Sequence, residues 1–152
     1  MSLTFETPEE TAAFARRLGA LLHAGHVLLL EGEIGAGKTH FARALIQSRL
    51  DTPEDVPSPT FTLVQTYETS EGEIWHCDLY RLTAPEEIEE LGLIDAFESA
   101  ICVIEWPDRL GPLAPASALT MRFRTDESDV ATRHVDFHWS TPGWTGLLED
   151  AA

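Results

Sequence analysis

The chain has 152 residues, 43% of them hydrophobic, with 26 acidic against 10 basic side chains and a formal net charge of −16. That length suits a single domain with a real core, and no apolar run approaches the roughly 18 residues of a membrane helix. The charge disfavours tight, direct binding to nucleic acid phosphates, and two cysteines without C-x-x-C spacing, Cys77 and Cys102, are too few to staple a fold and read as reduced strand residues.

The opening residues, Met1-Ser2-Leu3-Thr4-Phe5-Glu6, show neither a basic start nor an apolar run, so no leader is read there and a cytoplasmic location is expected. Thr7-Pro8-Glu9-Glu10 has the order of a capping box, and Phe14, Leu18, Leu21 and Leu22 follow at helical spacing, which predicts a first helix. Val27-Leu28-Leu29-Leu30 suits a buried parallel strand. The chain's one lysine, Lys38, then falls in Gly32-Glu33-Ile34-Gly35-Ala36-Gly37-Lys38-Thr39, a full match to G-x-x-x-x-G-K-[ST], and Phe41 to Ile46 reads as the helix that should follow. Strand, glycine loop and helix come in the order a phosphate cradle requires. The glycines let backbone N–H groups turn inward, and the helix N-terminus adds partial positive charge. Lys38 can then reach the β- and γ-phosphates, Thr39 can ligate Mg²⁺, and His40 is expected to contribute only its backbone N–H.

Residues 51–59, rich in proline and acid, predict a surface connection. The β-branched and aromatic run Thr60 to Tyr67, a turn at Ser70-Glu71-Gly72 and the run Ile74 to Tyr80 predict a β-hairpin. A second capping-box order, Thr83-Ala84-Pro85-Glu86, opens the acidic Glu86-Glu87-Ile88-Glu89-Glu90, which is either a solvated helix face or a docking surface for a basic partner. A short helix over 95–100 leads to the apolar strand Ile101-Cys102-Val103-Ile104, which ends on Glu105-Trp106 before Pro107. Leu119 to Arg124 and Val135 to Trp139 alternate as a closing antiparallel pair, and residues from about 140 to 152 read as a loosely held tail.

A carboxylate is needed near Mg²⁺, and in phosphate-loop proteins it ends a strand beside the loop strand. Glu105 occupies that place, to hold metal or position water, with a plain surface glutamate as the alternative. Asp78 lies among apolar neighbours and needs a partner: either metal, or Arg81 or a hydroxyl in a structural pair. Thr60 is read as a switch residue sensing the γ-phosphate or as a strand-initiating turn. His76 fits a core histidine as well as a functional one, and Trp106 fits packing as well as shielding of the site. The chain has no asparagine, so the N-K-x-D reader of guanine is absent and ATP is the preferred nucleotide.

These motifs, Gly32 to Thr39, Ser58-Pro59-Thr60-Phe61-Thr62-Leu63-Val64, His76-Cys77-Asp78-Leu79-Tyr80-Arg81-Leu82 and Ile104-Glu105-Trp106, together resemble the TsaE (YjeE) family, small bacterial ATPases required for threonylcarbamoyladenosine modification of tRNA. The resemblance spans residues 32–106 and is weaker over 1–25 and 112–152. It implies an α/β, three-layer P-loop NTPase sandwich with a mainly parallel central sheet, to which the hairpin and C-terminal strands are antiparallel additions, in one domain over 1–152. It implies slow hydrolysis of ATP with Mg²⁺, in concert with the TsaB and TsaD proteins that act on adenosine 37; the acidic charge, and not the resemblance, adds the expectation that tRNA is met only indirectly, through those partners. Catalytic roles fall to Lys38, Thr60, Asp78 and Glu105. Nucleotide contacts fall to Gly32, Gly35, Ala36, Gly37, Lys38, Thr39, His40 and Trp106, and metal contacts to Thr39, Glu105 and Asp78. A small-molecule kinase and a non-hydrolysing ATP sensor are the alternatives. ATP is expected to order the segment from Asp51 to Thr60 and so change affinity for partners.

Overall fold

The structure, a computed structural model, describes residues 1–152. Its strands are β1 (Ser2–Phe5), β2 (Val27–Glu31), β3 (Val64–Thr69), β4 (Gly72–Asp78), β5 (Ile101–Glu105), β6 (Leu119–Thr125) and β7 (Arg133–His138). Its helices are α1 (Pro8–Leu21), α2 (Lys38–Arg49), α3 (Glu86–Glu90), α4 (Leu93–Ser99) and α5 (Gly143–Ala151), with a 3-10 segment over Pro107–Leu113.

All seven strands form one mixed sheet in the order β1-β7-β6-β2-β5-β4-β3. The middle four, β6, β2, β5 and β4, run parallel. Antiparallel partners close both sides, β3 on β4, and β7 between β6 and β1. The two central strands, β2 and β5, are apolar because both faces are covered. Leu28, Leu30 and Val103 join Phe14, Phe41 and Leu45 of α1 and α2 in one core, while Val27, Leu29, Cys102 and Ile104 join Ile88, Leu93 and Ala96 of α3 and α4 in the other.

The first cap forms as its residue types require: Thr7 Oγ1 accepts the Glu10 N–H at 3.2 Å, and Pro8 is the first helical residue. The Glu10 carboxylate reaches back to the Glu6 N–H at 2.7 Å, one residue before the cap. The second capping box does not form. Pro85 takes the cap position in a helical conformation, and the Thr83 hydroxyl instead donates to the Glu87 carboxylate at 2.8 Å.

Two expectations need correction, and one element is not read from the sequence at all: the segment before α1 is a strand, β1, laid against β7 with Leu3 opposite Val135. The first hairpin strand begins at Val64 rather than Thr60, because the Leu63 N–H closes a turn onto Pro59 O at 2.7 Å with Leu63 at φ 68°. The C-terminal residues are not loose: α5 buries Trp144, Leu148 and Ala151, and Trp144 Nε1 donates to Ser117 O at 2.8 Å. Arg17 Nε of α1 donates to Ala151 O at 2.7 Å, which holds the last turn of α5. Gly143 and Gly146 mask this helix in the sequence, since glycine is a poor helix former and the helix depends on its packing.

Candidate functional site

The central strand β2 delivers the chain to the glycine loop at the carboxyl end of the parallel strands, where ligands of open α/β sheets gather. Gly32, at φ 141°, passes so close to β6 that a Cβ there would lie 2.6 Å from Phe123 O. Gly37, at φ 106°, takes the left-handed conformation that starts α2. The loop is therefore held open by backbone shape that other residue types would distort.

Lys38 is buried and folds over its own loop, donating to Gly32 O and to Glu33 O, the latter at 3.1 Å. Its ammonium also lies 4.1 Å from the centroid of the Trp106 ring. Burial pushes the Lys38 pKa below its ordinary value, while the Glu105, Asp78 and Glu33 charges oppose that shift. Trp106 reaches this place through a left-handed backbone, φ 58°, and packs against Tyr80 with ring centroids 5.0 Å apart.

The Thr39 hydroxyl donates to Glu105 Oε1 at 2.6 Å, so the residue after the lysine and the end of β5 meet directly. Glu105 is buried, and its other oxygen accepts from His76 Nε2 at 2.7 Å. Parallel pairing sets Asp78 beside Glu105 at the end of β4. Asp78 is also buried and is served by hydroxyls: Thr60 Oγ1 at 3.3 Å and Ser58 Oγ at 3.4 Å, with the Tyr80 N–H on its other oxygen at 3.0 Å. Of the two protein partners considered for Asp78, Arg81 and a hydroxyl, the hydroxyl is the one present. Arg81 lies 4.5 Å over the exposed Phe61 ring, and Arg109 stands exposed beyond Trp106.

His40 does more than offer its N–H, since its Nε2 donates to Pro8 O at 2.9 Å and ties the first turn of α2 to the start of α1. Lys38, Thr39, Asp78 and Glu105 line one cleft of about 590 Å³ together with Pro8, His40 and the β6–β7 connection. Arg133 is part of the site and carries no signal in the sequence. Its guanidinium donates to Ala36 O at 3.0 Å and Gly35 O at 3.3 Å, bracing the outer side of the loop. Nothing in local spacing links a residue opening the last strand to a loop almost one hundred positions earlier. Ser58 was visible only as part of a motif, not as a partner of Asp78. Cys77 and Cys102 are free and buried, and burial pushes both thiols up, Cys102 to about 12, so they stay protonated and unreactive.

A glycine loop between a central parallel strand and a helix, with carboxylates ending β5 and β4, the next two strands on one side, is the arrangement of α/β proteins that take anionic ligands at the carboxyl end of a sheet. The sequence profile of the TsaE family, threonylcarbamoyl adenosine biosynthesis proteins, matches residues 5–135, and the chain belongs to that family. It is 40% identical over 121 residues to the tRNA threonylcarbamoyladenosine biosynthesis protein TsaE of Rickettsia bellii, covering 80% of this chain and 84% of that one. Its match to the TsaE protein of Rickettsia felis is 43% identical over 106 residues, covering 70% of this chain and 62% of the relative. The crystal structure of Bacillus subtilis YdiB superposes with a TM-score of 0.79 at 27% identity, covering 99% of this chain and 93% of that one.

Proposed function

We propose that this chain is a P-loop NTPase, a three-layer sandwich that binds ATP with Mg²⁺, hydrolyses it slowly, and thereby serves threonylcarbamoyladenosine formation at position 37 of tRNA. The observation that carries the reading is the 2.6 Å contact between Thr39, at the start of the loop helix, and Glu105, at the end of the neighbouring strand. It joins a hydroxyl and a carboxylate at the mouth of a loop that has no room for a side chain at Gly32.

The donor set fits magnesium. Thr39, Glu105 and Asp78 offer hard oxygens, and no three His, Cys, Asp or Glu side chains converge to cage a metal by themselves. That is the expected arrangement for an ion held by one or two carboxylates and otherwise by phosphate and water. Thr39, Glu105 and Asp78 are the residues that would hold it, and the bound ion would neutralise charge developing on the β- and γ-oxygens. Lys38 binds the same phosphates once its ammonium leaves the loop carbonyls. Loop N–H groups from Gly35 to His40 bind the remaining phosphate oxygens. Thr60, poised on Asp78, senses the γ-phosphate, and Trp106 shields the site from water on one side.

The carboxylate-rich surface makes a direct grip on tRNA unfavourable, so the protein acts through the TsaB and TsaD proteins and meets tRNA only within their complex, in the cytoplasm. A kinase would need arginines closing over the phosphates. Arg81 is instead engaged with Phe61, and Arg133 is committed to loop carbonyls. ATP hydrolysis by the purified protein, alone and with the TsaB–TsaD pair, tests the reading beside a Lys38→Ala control. Turnover that rises with the partners and vanishes in the control is the expected outcome. No turnover under any condition would favour a passive ATP sensor or a kinase lacking its acceptor.

A further inference from the structure

His76 is fully buried in β4, and one of its ring nitrogens, Nδ1, has no hydrogen-bond partner. An orphaned buried nitrogen costs stability, and an apolar residue would fill the same space without that cost. What the histidine gains lies on its other side. Nε2 sits 2.7 Å from Glu105 Oε2 and donates its hydrogen to that carboxylate oxygen.

The alternation of β4 places Ile74, His76 and Asp78 on one face, and parallel pairing sets His76 beside Val103 and Asp78 beside Glu105. The imidazole thus approaches Glu105 from one residue pair behind the strand end, out of reach of the cleft. Glu105 uses its two oxygens differently: Oε2 is turned inward to His76, and Oε1 is turned outward to Thr39 at 2.6 Å. A glutamate with a free terminal torsion would spread both oxygens over several orientations. The inward bond removes that freedom.

We propose that His76 is a positioning residue, whose Nε2–H fixes the rotation of the Glu105 carboxylate so that Oε1 is presented with the Thr39 hydroxyl to the metal of a bound nucleotide. This rests on the ATP–Mg²⁺ reading above. His76 touches neither nucleotide nor metal and acts only through Glu105, as outer-shell partners of metal ligands commonly do.

Calorimetric titration of ATP, with Mg²⁺ and with EDTA, separates the roles. The gain in affinity on adding Mg²⁺ is the readout, and affinity in EDTA monitors the loop alone. In His76→Leu, and in His76→Asn, whose amide is too short to reach Glu105, the gain should fall by about tenfold or more while affinity in EDTA stays within about twofold. His76→Gln, whose amide N–H reaches close to the Nε2 position, should recover most of the gain. If His76→Leu does not fold, the Asn and Gln pair decides the matter. A gain kept in full by His76→Asn or His76→Leu would overturn the positioning role, as would a His76→Gln protein as impaired as His76→Asn. A wild-type protein with no Mg²⁺-dependent gain at all would instead refute the nucleotide–metal reading itself.

Discussion

Gly32 shows how far a single residue controls the site. Its φ of 141° and the 2.6 Å approach to Phe123 O leave no place for a methyl group, so Gly32→Ala must move either the loop or β6. The variant should lose about 1–3 kcal/mol of stability from backbone strain, and more from the clash. It should also lose most nucleotide affinity, which parallel denaturation and titration measurements would reveal. Lys38→Ala makes the useful contrast. It removes a charge that burial already disfavours, so stability should hold while nucleotide affinity collapses. Retained binding in Lys38→Ala would remove the lysine from the proposed phosphate site.

At the scale of elements, the connection from Asp51 to Thr60 does not behave as one unit. Val56 is buried against the first core, Arg43 Nε of α2 donates to Val56 O at 2.9 Å, and Gln47 Nε2 donates to Glu54 O at 3.5 Å. Residues 57–63 are tied instead to the site itself, through Ser58 and Thr60 on Asp78 and the turn at the left-handed Leu63, so they are the portion a ligand there would reach. Hydrogen exchange with and without ATP should therefore change over 57–63 and not over 51–56; altered protection across 51–56 would show that the anchors release. The C-terminal helix makes a second prediction. Leu148 of α5 is fully buried in the core shared with α1, so Leu148→Ala should lower unfolding free energy by about 2–5 kcal/mol. A change below about 0.5 kcal/mol, the scale of surface substitutions, would return the tail to the loose state first expected of it.

For the molecule as a whole, stability should depend on the His26 ring. His26 joins α1 to β2, stacks 4.7 Å from Trp144 of α5 and 3.9 Å from His23, and accepts the His23 N–H on Nδ1 at 3.0 Å. Burial, then the neighbouring His23, lowers its pKa from 6.5 to about 4. The unfolded chain takes the proton first, so this contribution is complete above pH 6.5, declines as pH falls towards 4, and changes no further below that. Denaturant midpoints recorded across that window should decline in the wild type and decline less in His26→Gln. Equal slopes would remove His26 from the account.

Much of this protein was written locally. The loop, its lysine and threonine, the apolar strands Val27 to Leu30 and Ile101 to Ile104 with Glu105 at the end of the second, and the hairpin turn at Ser70-Glu71-Gly72 all follow from residue type and short-range spacing, because a glycine loop of this pattern and a two-sided parallel sheet each impose a local pattern. The order of strands in the sheet was decided elsewhere. So were the pairing of β1 with β7, the docking of α5, the brace from Arg133 to the loop, the hydroxyls of Ser58 and Thr60 on Asp78, and the bond from His76 to Glu105. Each joins residues distant in the chain, and no period or cap encodes it. Only burial of a common core, which brings separate strands into register and forces buried polar groups to find partners, determines which of those residues meet.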